Sequence, residues 1–307
     1  MTRAIVFAYH NVGVRCLSVL LAQGVEVALV VTHQDNPKET IWFDSVENLA
    51  TCARLPSATP DDPNSPEWIE RIRALQPDFI FSFYYRHMLD TALLEAARLG
   101  AYNVHGSLLP KYRGRVPVNW AVINGERQTG ATLHRMVAKP DAGAIVAQQS
   151  VPILPNDTAF EVFNKVTVAA EIIVDASLPK LIQGTATHTP IDLAQGSYFG
   201  GRKPEDGRID WSQSADRIHN LIRGVAPPYP GAFASVQGKH VRFLKSRIDR
   251  SLHTHAERPT LYVDGQRLLV DCADGRALEV LILEHDGAVV QPDAFESTFG
   301  ARRVVLT

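Results

Sequence analysis

Two side chains that can do acyl-transfer chemistry stand two residues apart in the segment Asn103-Val104-His105-Gly106-Ser107-Leu108-Leu109-Pro110. An amide donor stabilises an oxygen that gains charge, and an imidazole moves a proton near neutral pH. The apolar run just before them reads as a strand, so period-2 geometry sets Asn103 and His105 on one face at its exit. A capping asparagine beside a hydrogen-bonded histidine would have the same spacing. A second polar cluster, from Leu133 to Ala147, reads as strand, loop and strand and holds Asp141 and Gly143 in the loop. A carboxylate there is expected to pair with His105 and favour its charged form; an Asx-turn is the plainer use of the same residue. His10 follows the first strand, where open α/β sheets place ligands, and is read as a substrate contact. The same loop lacks the Gly-x-Gly-x-x-Gly of a dinucleotide site.

Positioning such groups takes a scaffold. The apolar runs at 4–8, 26–32, 79–83, 101–105 and 132–136 read as strands. Helical spacing at 15–23, 45–54, 67–75, 91–99, 117–124 and 160–183 separates or follows them, and residues 9–13 read as a loop. Alternation of this kind predicts a Rossmann-like, doubly wound parallel sheet. Beyond Gly196 the texture changes to short β-like runs at 232–236, 241–245, 268–272, 278–283 and 304–306, split by turns such as Asp264-Gly265 and Asp274-Gly275. They predict a small OB-like β-barrel. The expected division is residues 1–190, a linker at 191–205, and 206–307.

Composition narrows the function. Thirty-one cationic against 33 anionic side chains in 307 residues exclude a general nucleic-acid sleeve. Three cysteines give no disulfide framework, and Cys16 and Cys52 are read as core residues of helices. No metal-ligand spacing occurs. The N-terminus reads as a buried strand, not a signal peptide, and no apolar run reaches a membrane span, so a cytoplasmic protein is expected.

Asn-x-His-x-Ser-Leu-Leu-Pro-x-Tyr-Arg-Gly from Asn103 to Gly114, then Thr-Gly-x-Thr from Thr129 and Asp-x-Gly from Asp141, resembles the signature of the folate-dependent formyltransferases. The resemblance implies 10-formyltetrahydrofolate as formyl donor and Asn103, His105 and Asp141 as catalytic residues. Val6-Phe-Ala-Tyr-His10, Thr32-His-Gln-Asp-Asn-Pro37, Phe81-Ser-Phe-Tyr-Tyr-Arg-His87, Leu133-His-Arg-Met136 and Pro228-Tyr-Pro-Gly-Ala-Phe233 are similar to the sugar branch found in bifunctional polymyxin-resistance proteins. That branch formylates UDP-4-amino-4-deoxy-L-arabinose for lipid A, the lipopolysaccharide anchor. The 307 residues hold no counterpart of the decarboxylase half, so formylation is expected to stand alone.

The resemblance also implies a folate pocket between His87, Met88 and Leu89 on one side and Val137, Ala138, Lys139, Pro140 and Asp141 on the other, with Arg115 as a further folate contact. The acceptor's diphosphate needs cations, and Arg202 with Lys203 are the candidates, in Phe199-Gly-Gly-Arg-Lys-Pro204. Methionyl-tRNA formyltransferase and 10-formyltetrahydrofolate hydrolase are the alternatives. Residues 201–307 carry 15 cationic and 14 anionic side chains, weak footing for tRNA. The expected partners are thus a nucleotide sugar and folate, with no nucleic acid and no membrane.

Overall fold

The computed structural model describes residues 2–37, 39–254 and 257–306. In chain order the elements are β1 (Arg3–Ala8), α1 (His10–Ala22), β2 (Glu26–Val31), α2 (Val46–Cys52), β3 (Ser57–Ala58), α3 (Pro66–Ala74), β4 (Phe79–Phe83), α4 (Thr91–Leu94), β5 (Gly100–His105), β6 (Arg113–Gly114), α5 (Pro117–Ile123), β7 (Gln128–Arg135), β8 (Ile145–Pro152), α6 (Ala159–Ile182) and β9 (Tyr198–Phe199). There follow α7 (Ala215–Gly224), β10 (Ala232–Val236), β11 (Lys239–His253), β12 (Thr260–Asp264), β13 (Arg267–Asp271), β14 (Arg276–His285), β15 (Ala288–Val289), α8 (Phe295–Phe299) and β16 (Arg303–Val305). Two units form: Met1–Pro117 with Gln128–Pro152 and Phe163–Gly200, and Val118–Arg127 with Ile153–Val162 and Gly201–Thr307.

In the first unit the strands run β3-β2-β1-β4-β5-β7-β8. Neighbours from β3 to β5 are parallel. The run Phe79-Ile-Phe-Ser-Phe83 is buried along its whole length, as a parallel strand covered on both faces must be. β7 and β8 depart from the expected parallel sheet and pair antiparallel. The link between them, residues 136–144, is too short for a parallel crossover, which takes a dozen residues or more. The β5–β7 pairing sets Asn103 opposite His134 and His105 opposite Thr132.

Several boundaries differ from expectation, and β7 and β11 run well beyond the strands read at 132–136 and 241–245. The loop read at 9–13 is the start of α1, which begins at His10. Gly13 permits this, because a Cβ there would lie 3.1 Å from Ala8 Cβ and 3.0 Å from Val46 Cγ2. The helix read at 91–99 ends at Leu94. The amides of Arg98 and Leu99 donate to Pro77 O and Asp78 O, at 3.0 and 2.7 Å, instead of continuing the helical ladder. α6 starts in a capping box: Thr158 N donates to Glu161 Oε2 at 2.6 Å, and Glu161 N to Thr158 Oγ1 at 3.4 Å. Cys16 is buried, but Cys52 is exposed at the end of α2, against the reading of a core residue. It falls on the solvent side of a short helix whose buried residues are Val46 and Ala50.

In the second unit an antiparallel sheet in the order β10-β11-β14-β13-β12-β16, with β15 on β14, curls into a half-barrel. Phe243, Leu261, Val270, Leu278 and Phe295 fill it, together with Ile218 and Ile222 of α7. β12 and α7 were not legible as separate elements. Among the described residues, no helix is long and apolar enough to cross a membrane.

Candidate active site

The exits of β5 and β7 and the loop at 136–144 bring four polar side chains together. Asp141 has φ 50° at the tip of that loop. Gly143 lets the loop fold back, since a Cβ there would meet Arg135 O at 1.8 Å. Asp141 Oδ2 accepts the Gly114 N–H at 2.9 Å. Its Oδ1 lies 3.5 Å from His105 Nδ1 and 3.6 Å from His134 Nε2. Asn103 Nδ2 lies 3.1 Å from His134 Nε2.

His105 Nε2 is 2.7 Å from the carbonyl oxygen of Tyr112, which can only accept, so Nε2 carries the proton. The Nδ1 lone pair then faces Asp141. Burial lowers the His105 pKa; Asp141 and the Tyr112 carbonyl pull it up, and burial prevails. The expectation that Asp141 raises this pKa is therefore corrected: its pull has the expected sign, but the net shift is downward, because desolvation outweighs one carboxylate. For Asp141 the balance reverses. Burial pushes its carboxyl up, while the charged forms of His105 and His134 and the Gly114 amide outweigh burial and hold it well below the usual carboxylate range. The result is a neutral imidazole with an open lone pair beside a fixed carboxylate. Such a pair accepts a proton and holds it.

The Tyr112 carbonyl is held by the loop around it. Ser107 Oγ donates to Lys111 O at 2.6 Å, Thr132 Oγ1 donates to Ser107 O at 2.6 Å, and Tyr112 N donates to Ser197 Oγ at 2.8 Å. The Tyr112 ring stacks on Phe199, centroids 5.1 Å apart.

The other predicted residues fall as follows. Met88, Leu89 and Ala138 line one cavity of about 420 Å³ with Asp90, Thr91 and Ala92. Met88 is 55% exposed and Val137 is 43% exposed. His87 packs edge-on against His33, centroids 4.9 Å apart. Lys139 is exposed and Pro140 half-buried. Arg115 is exposed, and its N–H donates to Phe199 O at 2.9 Å. His10 stacks on Phe43 at 3.8 Å with Trp42 and Phe163 edge-on at 4.5 and 4.7 Å. Its Nδ1 has no hydrogen-bond partner among the described residues. In the second unit, Arg202 lies over the Trp120 ring at 4.9 Å and donates to Asp206 O at 2.9 Å, and Lys203 N donates to Asp206 Oδ2 at 2.7 Å.

Sequence reasoning missed His134 as a member of this cluster. Its position opposite Asn103 is a matter of strand register, and the only signal was that Leu133-His-Arg follows the Thr-Gly-x-Thr run.

Residues 14–177 match the formyl transferase family, and residues 202–297 match the formyl transferase C-terminal domain. The chain belongs to the formyl transferase family. Among solved structures it resembles an N-formyltransferase from Helicobacter canadensis, in complex with folinic acid and dTDP-3-aminofucose, at 20% identity and TM-score 0.74 over 91% of this chain and 99% of that one. It also resembles WlaRD, a sugar 3N-formyl transferase solved in the presence of dTDP and 5-N-formyl-THF, at 19% identity and TM-score 0.72 over 91% and 97%. A third likeness is HypX from Aquifex aeolicus in complex with tetrahydrofolic acid, at 18% identity and TM-score 0.63 over 97% of this chain and 47% of that chain.

Proposed function

We propose that this chain is a sugar N-formyltransferase. It moves the formyl group of 10-formyltetrahydrofolate to the amine of a nucleotide-linked amino sugar, UDP-4-amino-4-deoxy-L-arabinose, in the lipid A modification that confers polymyxin resistance. The observation that carries the reading is geometric: His105 Nδ1 stands 3.5 Å from Asp141 Oδ1, with Asn103 on the same strand face. The complexes of the H. canadensis enzyme and WlaRD, which share the fold, support the two substrate classes.

In this scheme the sugar amine attacks the formyl carbon. Asn103 donates an N–H to the oxygen that gains charge, an effect of about 2.7–4 kcal/mol per donor. His105 Nδ1 takes the amine's proton and returns it to the folate nitrogen as the carbon–nitrogen bond breaks, worth about 10²–10⁴-fold. Asp141 steadies the imidazolium in between. Met88, Leu89 and Ala138 line the cavity that receives the pterin, flanked by His87, Val137, Lys139, Pro140 and Arg115. Arg202 and Lys203 meet the diphosphate, and His10 contacts the acceptor.

Turnover tests the reading. Tetrahydrofolate release is measured with UDP-4-amino-4-deoxy-L-arabinose, dTDP-3-amino sugars, tRNA or water as acceptor. The arabinose substrate is expected to give the highest kcat/KM. Preference for a dTDP sugar would keep the enzyme class and overturn the substrate; formate release alone would overturn both. Arg202→Ala is expected to raise KM for the nucleotide sugar and leave KM for the folate unchanged.

A further inference from the structure

His134 is 2% exposed and directly opposite Asn103 in the β5–β7 ladder. Its Nδ1 lies 3.0 Å from the Arg135 carbonyl oxygen. A carbonyl only accepts, so in the neutral ring Nδ1 carries the proton and Nε2 has nothing but a lone pair. That lone pair meets Asn103 Nδ2 at 3.1 Å. The Asp141 oxygen is farther away, at 3.6 Å, beyond the length of a good hydrogen bond.

A carboxamide has two faces that differ by a half-turn: nitrogen toward a neighbour, or oxygen toward it. Against an Nε2 lone pair only the nitrogen is accepted, because the turned-over amide would set two acceptors face to face. One Asn103 N–H is then spent on His134. The other is left at a single defined place, and so is Oδ1. We infer that His134 is a positioning residue: its Nε2 lone pair, fixed by the Arg135 carbonyl on the far side of the ring, locks the orientation of the Asn103 carboxamide and so places the donor for the formyl oxygen. The inference rests on the formyl-transfer reading, since that reading makes the orientation of Asn103 matter.

The test uses the full chain and four variants: His134→Gln, His134→Leu, Asn103→Ala, and His134→Leu combined with Asn103→Ala. Leucine keeps the volume and removes the acceptor; glutamine keeps an acceptor at the side-chain end. His134→Leu is expected to lower kcat about tenfold or more, with the folate KM within about twofold, and His134→Gln to recover most of that loss. On the Asn103→Ala background, His134→Leu is expected to cost less than about twofold more, because the two act as one unit. Equal losses in the glutamine and leucine variants, or an undiminished leucine effect without Asn103, would overturn the inference.

Nitrogen-15 spectra of wild type labelled at histidine and asparagine provide a readout independent of turnover. A protonated Nδ1 and an unprotonated Nε2 are expected at His134, with the Asn103 side-chain NH₂ proton pair widely split and collapsing in His134→Leu. A protonated Nε2 would overturn the inference even if the enzyme formylates sugars. If the wild type formylates no amino sugar, the formyl-transfer reading fails, and these spectra still decide whether His134 holds Asn103.

Discussion

Two histidine clusters lie at the carboxyl ends of strands in the same sheet, and burial lowers the pKa in both. At β5 and β7, burial of His105 is opposed by Asp141 and by the Tyr112 carbonyl. At β1, β2 and β4, the groups are His10 and His33. His10 is packed against Phe43, Trp42 and Phe163, and His33 is stacked on Tyr85 at 4.1 Å with its Nε2 accepting the Arg86 N–H at 3.0 Å. The charged group beside them is Arg86, a cation, tied to Glu39 by two hydrogen bonds at 2.9 and 2.8 Å and lying over the Tyr9 ring at 4.8 Å. Burial first, then like charge, takes His10 down to about 3; burial, then His87 and Arg86, takes His33 down to about 4. The lesson is that burial sets the baseline and the sign of the neighbour decides the use. A carboxylate keeps an imidazole able to take a proton; an arginine makes it a neutral wall.

The largest expected effect falls on the first cluster. His105→Ala and Asn103→Ala should each lower kcat about a hundredfold or more, with the melting temperature little changed. Steady-state kinetics beside a melting curve checks this, and near-normal turnover in either variant would remove that residue from the proposed chemistry.

Asp141→Asn comes next. It deletes the one carboxylate that opposes burial, so His105 should titrate still lower. The acidic limb of the kcat/KM profile moves down in pH, and the plateau drops about tenfold. Rate loss with an unmoved limb would mean that the carboxylate serves the Gly114 amide and its loop rather than the imidazole.

A third change probes the contrast in sign. Arg86→Met removes the like charge from the second cluster, so both His10 and His33 should titrate higher by NMR. Unmoved values would leave burial, with His87 beside His33, as the whole cause.

The smallest effect is on stability. His10 titrates at about 3 in the folded chain, against roughly 6.5 unfolded. Between those values the unfolded chain binds more protons. The stability tied to keeping His10 neutral is therefore complete above about pH 6.5 and is lost as pH falls toward 3, amounting to at most about 2 kcal/mol by pH 5. His10→Phe should lose less stability than the wild type between pH 7 and pH 5 in denaturant titrations, and identical losses would contradict the shift.

Much of the second cluster was hidden from sequence reasoning because its use depends on who packs against whom. His10 was read on a loop, yet it opens α1 at φ 68° within an aromatic shell contributed from residues 42, 43 and 163. The first cluster was more legible. Asn103 and His105 share a strand face by the period of two alone, and Asp141 stands out as a carboxylate beside a glycine in a short polar link. His134 was not legible, since nothing local marks a residue as the cross-strand partner of another thirty-one positions away.

The alternation of strands and helices, the change of texture after residue 196, and the residue types that meet at one strand exit can all be read from the chain, because these follow from short-range periodicity and chain chemistry. Tertiary structure alone decided the antiparallel turn of β7 and β8, the pairing of Asn103 with His134, and the protonation of His105. Those depend on register and desolvation, which are set by residues distant in the chain, and the sum of burial against one carboxylate has no sign until the packing exists.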